Sequence, residues 1–121
     1  MFRRGSKTEA ELAEYRKNAV SPQLLNDAIF HAKGYGLEIG ATICDLKSLK
    51  MPGVEQLDFL KIGSYELLCD DLISACGETG KPLILSTGMA TLDEIWTAVG
   101  AVQADIIGNT DVISVLHCVS L

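Results

Sequence analysis

The sequence predicts an α/β fold of about four parallel strands alternating with helices. Three observations predict it. Short apolar runs recur at intervals of roughly 20–30 residues, segments with helical spacing separate them, and the clearest run is apolar on both faces. Strands of that kind belong to a parallel sheet covered on both sides.

Residues 1–20 are polar and charged, with Leu12 and Tyr15 as sparse apolar points, and read as a lead-in that is either helical or disordered. Ser21-Pro22 has the chemistry of an N-cap followed by a first helical residue. Leu24, Leu25, Ala28, Ile29 and Ala32 follow at helical spacing, and Gly34 is the expected stop. Leu37–Thr42 reads as the first strand, weakened by Gly40. Asp45 is placed to cap a short helix before the Pro52-Gly53 turn. Leu57–Ile62 is the second strand. Asp70 is placed to cap a helix carrying Leu72, Ile73 and Cys76 that stops at Gly80. Pro82–Leu85 is the third strand. Thr91-Leu-Asp-Glu94 matches the capping box, in which the first and fourth side chains each accept from the other's backbone N–H. Its helix carries Ile95, Val99 and Val102, and Val112–Leu116 is the fourth strand. Trp96 and Met89 read as packing residues.

Composition narrows the function. The chain has 121 residues, 48% of them hydrophobic, with a net charge of −6. That balance argues against a nucleic-acid binder, which shows a basic patch. No apolar run reaches the ~20 residues a membrane helix needs, and the polar start supplies no signal-peptide core. The expectation is a soluble, cytoplasmic protein. Cys44, Cys69, Cys76 and Cys118 form no C-x-x-C pair and read as buried free thiols rather than metal ligands.

The chemistry lies where the strands end. Each run is apolar and then closes on hydroxyls, glycines or a charge: Ala41-Thr42, Lys61-Ile-Gly-Ser-Tyr-Glu66, Ser86-Thr-Gly-Met89 and His117-Cys-Val-Ser120. In a parallel α/β sheet these ends share one rim, where ligands bind. Lys61 interrupts an apolar strand, and a lysine is rarely buried without a partner. As a point charge it suits a phosphate or carboxylate. Thr42, Ser64, Ser86 and Thr87 would add neutral donors, and Gly63 and Gly88 would let backbone N–H groups come close to an anion. Glu66 reads equally as a loop carboxylate or a site residue. His117 reads first as a core histidine and second as a site residue. His31 reads as a surface or half-buried residue. The glycine pattern matches neither a P-loop nor a dinucleotide fingerprint. Taken alone, these residues define an anion site on a β/α rim, on either an open doubly wound sheet or part of a TIM barrel.

Three blocks carry a family resemblance: Lys61-Ile-Gly-Ser-Tyr-Glu66, Gly80-Lys-Pro-Leu-Ile-Leu-Ser-Thr-Gly-Met-Ala90 and Leu116-His-Cys-Val-Ser120. In order and spacing the chain resembles the N-acetylneuraminate (sialic acid) synthase family over residues 21–121. The resemblance implies a partial TIM (β/α) barrel. It also implies an enzyme, a transferase that condenses phosphoenolpyruvate with an N-acetylated amino-sugar aldehyde of the N-acetylmannosamine type. The product is a nine-carbon 2-keto acid, and phosphate is released. By that analogy Lys61, Ser64 and Ser86 hold phosphoenolpyruvate, and Gly88 and Met89 form the turn that donates backbone contacts. Thr42 and Ser120 border the substrate, and Glu66 stands beside the attacked carbon.

The family's S-T-P-F-[DS] block reads Ala41-Thr-Ile-Cys-Asp45 here, which alters packing beside Thr42. Tyr65 replaces a glycine typical of sialic acid synthases and is closer to pseudaminic acid relatives. The resemblance maps the chain onto strands three to six of the barrel. It therefore expects the Mn2+ or Mg2+ of the complete enzyme to find no ligands here, the isolated chain to have little activity, and its open sheet edges to favour a homo-oligomer. Two other readings stand beside it: a pseudaminic or legionaminic acid synthase, and a non-catalytic, anion-binding half-barrel.

Overall fold

The structure is a computed structural model and describes residues 8–105 and 112–119. The lead-in forms a helix, α1 (Glu9–Lys17). Helix α2 (Pro22–Gly34) starts as its sequence dictates: the Ser21 side chain accepts from the Leu24 N–H at 3.1 Å, and Pro22 fills the first turn. Its stop differs from the reading. Gly34 is still helical, and Gly36 takes the left-handed turn at φ 69°. Leu25 and Ile29 are the residues of α2 that reach the core, while Leu24 stays exposed.

Four short strands follow: β1 (Gly40–Ile43), β2 (Phe59–Ile62), β3 (Leu83–Ser86) and β4 (Ile113–Leu116). Each begins one to three residues later than its pattern suggested. Loop-to-strand contacts explain part of this. Asp58 Oδ2 accepts from the Ile39 N–H at 2.8 Å and the Asp58 N–H donates to the Ile39 carbonyl at 2.8 Å, so this level is a latch below the ladder. Between the strands lie α3 (Leu46–Leu49), α4 (Asp70–Gly77) and α5 (Leu92–Asp105). Asp45 caps α3 as expected, accepting from the Ser48 N–H at 2.6 Å. Helix α4 begins on Cys69 instead of an Asp70 cap, and Asp70 and Asp71 sit in its first turn, where the helix dipole favours negative charge. It ends at Gly77, and Gly80 (φ 68°) turns the chain toward β3. The capping box forms both ways: the Thr91 N–H donates to Glu94 Oε2 at 2.7 Å and the Glu94 N–H to Thr91 Oγ1 at 3.3 Å.

All strand pairs are parallel, and the order is β1-β2-β3-β4. A doubly wound sheet reverses direction at a switch point; this one runs in sequence, as a barrel wall does. Leu60, Ile62, Leu83, Leu85 and Ile43 face the helices and are buried with Leu72, Ile73, Cys76, Ala98 and Val102. Burying each of the larger side chains contributes about 1.5–3 kcal/mol. The opposite face carries Phe59, Lys61 and Ile84, all half-buried, with Thr42 and Ser114 exposed. The sheet is therefore closed on its helical face and open on the face that lines a barrel's interior.

Candidate active-site rim

Alternation along β2 turns Leu60 and Ile62 to the helices and Lys61 to the open face. Register then builds a row across the sheet: Thr42 pairs with Lys61, Lys61 with Ile84, and Ile84 with Ser114. Adjacent strands lie ~4.8 Å apart, so Thr42 flanks Lys61 directly and Ser114 stands two strands away. The row lies one residue before the end of β2, about 3.3 Å along the strand, and the four-carbon stem of a lysine spans that. Ser114 was missed in the sequence. The signal was present, because Ser114 is the one polar residue of its strand, the same argument that singled out Lys61.

Past the strand ends the chain makes two turns. β2 leaves through Gly63 into a 3-10 turn, Ser64–Glu66. The Glu66 carboxylate folds back over Gly63: a Cβ there would meet Glu66 Oε2 at 2.6 Å and Thr42 Cγ2 at 3.9 Å. Glu66, Gly63 and Thr42 thus share one corner. β3 leaves through Ser86, Thr87, Gly88 and Met89, closed by the Ala90 N–H donating to the Thr87 carbonyl at 3.2 Å. The Gly88 N–H donates to Ser64 Oγ at 2.9 Å, joining the β2 and β3 ends. Thr87 joins the β3 and β4 ends, its N–H and Oγ1 both donating to the Leu116 carbonyl, at 3.2 and 2.8 Å.

The rim accordingly brings Glu66 to Thr42 and Ser64 to Gly88, with Lys61 in register with Thr42 just below, while Ser86, which ends β3, is buried. Other expectations change. Thr87 is 7% exposed and its hydroxyl is held by Leu116, so it ties strands together. Met89 is not a packing residue: it is 70% exposed, with a φ of 61° that the tight turn imposes. Trp96 is also exposed, because the buried face of α5 runs through Ala98 and Val102, supported by Ile95 and Val99. His117 is exposed past the end of β4, not in the core, and His31 is exposed beside Phe30. Ser120 lies outside the described residues.

The four cysteines form no disulfide, and the expectation that they are buried holds fully for Cys76 alone. Its burial pushes the thiol up to about 11. Cys44 and Cys69 are exposed because they follow β1 and precede α4, at chain turns. Among the described residues no group of three or more His, Cys, Asp or Glu side chains is placed to hold a metal ion.

The other end of the sheet is built differently. A groove of about 410 Å³ there is lined by Met51, Pro52, Glu55, Thr79 and Lys81 among others. Lys81 is committed to structure: its ammonium donates to the Glu55 and Leu57 carbonyls at 2.9 and 2.6 Å. No helix among the described residues is long and apolar enough to cross a membrane.

Sequential parallel strands, helices on one face and a polar rim at the strand C-termini define the TIM-barrel class, of which the described residues carry four successive strands and the helices between them. The NeuB family model matches residues 2–121, and the chain belongs to the NeuB family. It is 35% identical over 112 residues to an uncharacterized protein of Methanocaldococcus jannaschii, covering 89% of this chain and 32% of that protein. It is 29% identical over 114 residues to the N-acetylneuraminate-9-phosphate synthase of Drosophila melanogaster, covering 94% and 29%. It is 35% identical over 86 residues to the pseudaminic acid synthase of Helicobacter pylori, covering 69% and 24%. The chain thus spans about a third or less of the length of these relatives. The sialic acid synthetase of Leptospira borgpetersenii shares its fold with a TM-score of 0.84 at 24% identity, over 98% of this chain and 40% of that one. The DAHP synthase of Thermotoga maritima does so with a TM-score of 0.69 at 23% identity, over 80% and 28%.

Proposed function

We propose that this chain forms the phosphoenolpyruvate-facing wall of a sialic acid synthase-type transferase, which joins phosphoenolpyruvate to an N-acetylated amino-sugar aldehyde. The observation that carries the reading is the rim itself. A lysine stands in one row with a threonine, Ser64 and Glu66 lie in the turn that leaves the same strand, and Ser86 ends the adjoining β3. A substrate bearing both a carboxylate and a phosphate needs such cationic and hydroxyl partners. In the proposed reaction the methylene carbon (C3) of phosphoenolpyruvate forms the new bond to the aldehyde carbon, whose oxygen takes up a proton; water adds at C2, gives up its protons as the ketone forms, and the C2–O bond to phosphate breaks, leaving the 2-keto acid. Lys61, Ser64 and Ser86 hold the anionic groups. Glu66, which shares a corner with Thr42, serves in this reading as the group that moves protons at the reacting carbons.

The Mn2+ or Mg2+ of such an enzyme would take its ligands from outside the described residues, so the chain by itself binds phosphoenolpyruvate but turns it over poorly. Cysteines without a disulfide are in keeping with a reducing cytoplasm. Among the described residues β1 and β4 are the outer strands of the sheet, and self-association through their edges is the expected state in solution.

Isothermal titration of the whole chain with phosphoenolpyruvate, alongside N-acetylmannosamine and inorganic phosphate, tests the proposal. Saturable binding of phosphoenolpyruvate, tighter than that of phosphate, is the expected result. No binding, or equal affinity for any dianion, would refute it. Light scattering on the same sample checks the self-association.

A further inference from the structure

We infer that Gly88 is a positioning residue: it holds the Ser64 hydroxyl so that the Ser64 proton is left to donate to the bound anion. The inference rests on the proposed phosphoenolpyruvate site. A hydroxyl offers one donor and two acceptor positions. Here an acceptor position of Ser64 Oγ is filled by the Gly88 N–H at 2.9 Å. Filling it from the β3 side fixes the rotamer, and the one hydrogen is left for another partner. A backbone N–H that polarises a hydroxyl in this way also strengthens it as a donor. Gly88 thus serves the anion through Ser64, where the sequence had suggested direct contact from its own N–H.

The same position must be glycine for a steric reason. A Cβ on Gly88 would lie 2.9 Å from Ser64 Oγ and 3.3 Å from Ser64 Cβ, and at an ordinary 3.7 Å from Cys118 Cβ. The closest atom is the end of a side chain that turns about one bond, and Gly88 has no left-handed φ. Rotating the Ser64 hydroxyl away relieves the closest contact, and a shift of a few tenths of an ångström relieves the one to Ser64 Cβ, so Gly88→Ala keeps the fold and loses the aim. Thr87, clamped to the Leu116 carbonyl by two hydrogen bonds, keeps this turn from moving aside instead.

Two measurements on the whole chain test this. The first needs no ligand: amide hydrogen exchange at Gly88 is slow in the native chain and at least about tenfold faster in Ser64→Ala. Unchanged exchange overturns the hydrogen bond and the inference with it. The second is a double-mutant cycle on phosphoenolpyruvate affinity. Gly88→Ala and Ser64→Ala each weaken binding roughly 10- to 100-fold, the range for losing one hydrogen bond to a charged group. The double variant is no weaker than Ser64→Ala alone. Additive losses would mean that Gly88 meets the ligand independently, and would overturn the inference. If the native chain binds no phosphoenolpyruvate, the proposed function fails and the donor role of Ser64 fails with it. The exchange measurement then still decides the hydrogen bond.

Discussion

Lys61 stands within β2 and Lys81 just before the adjacent β3, toward opposite ends of the same sheet, and their surroundings differ in kind. Lys81 precedes β3 on the N-terminal side and is bound to two backbone carbonyls. Lys61 stands within β2 on the open face, in register with Thr42 and close below a rim of hydroxyls. The N-terminal side is braced: Asp58 latches Ile39, and the Phe59 ring occupies the space where a Gly40 side chain would stand. The C-terminal side is joined by hydrogen bonds but keeps polar groups facing outward. In one small sheet, structure and chemistry are divided along the strand direction, as barrel enzymes divide them. The comparison teaches that a lysine in a motif is defined by what already satisfies it.

Exchanging the loss of charge between the two lysines is the strongest way to break that comparison. Lys61→Met should weaken phosphoenolpyruvate binding about 10- to 100-fold by titration, with unfolding stability unchanged within about 0.5 kcal/mol. Lys81→Met should leave binding intact and lower stability in urea by about 1–3 kcal/mol, because two carbonyls lose their partner. The reverse outcome would end the division of roles. Gly40→Ala probes the braced end: a Cβ there would collide with the Phe59 ring, and such overpacking costs about 1–3 kcal/mol. Its urea midpoint should fall while affinity at the far end holds.

Smaller effects sharpen the picture. Hydrogen bonds from Ser48 hold the Asp45 carboxyl below its ordinary range. A lowered pKa stabilises the fold above the unfolded carboxylate value, and the contribution disappears as pH falls through the folded value. Asp45→Ala should therefore cost about 0.5 kcal/mol at neutral pH and nothing near pH 2, in paired urea melts. Cys76 behaves oppositely. Its raised pKa means that stability declines as pH climbs from the free-thiol range toward about 11. At pH 8 iodoacetamide should label Cys44 and Cys69 and spare Cys76. Finally, chelation by EDTA should leave phosphoenolpyruvate affinity unchanged, because lysine and hydroxyls form the proposed site. A loss of binding on chelation would transfer that role to a metal.

Much of this was legible in order, because each signal was local. Ser21, Asp45 and the Thr91–Glu94 pair cap the helices they were expected to cap, since a cap needs a side chain within three residues of the N–H it accepts from. Lys61 stood out because a charge breaks an apolar strand. Trp96 and His117 were misjudged because apolar neighbours in sequence do not say which side of a helix, or of a strand end, meets the core. The early start assigned to β1 missed the Asp58 latch, a contact across 19 positions.

By itself, then, the sequence determined the element types, their alternation, the residues that close each strand and the family blocks among them, because propensity, capping and periodicity act over a few residues. Only the tertiary structure decided that the strands lie in sequential order, that Thr42, Lys61 and Ser114 share one row, that Lys81 is a brace, and that the Gly88 N–H meets Ser64. Those facts depend on register between strands distant in the chain, and register is set by packing against the helical layer, which no short stretch of residues encodes.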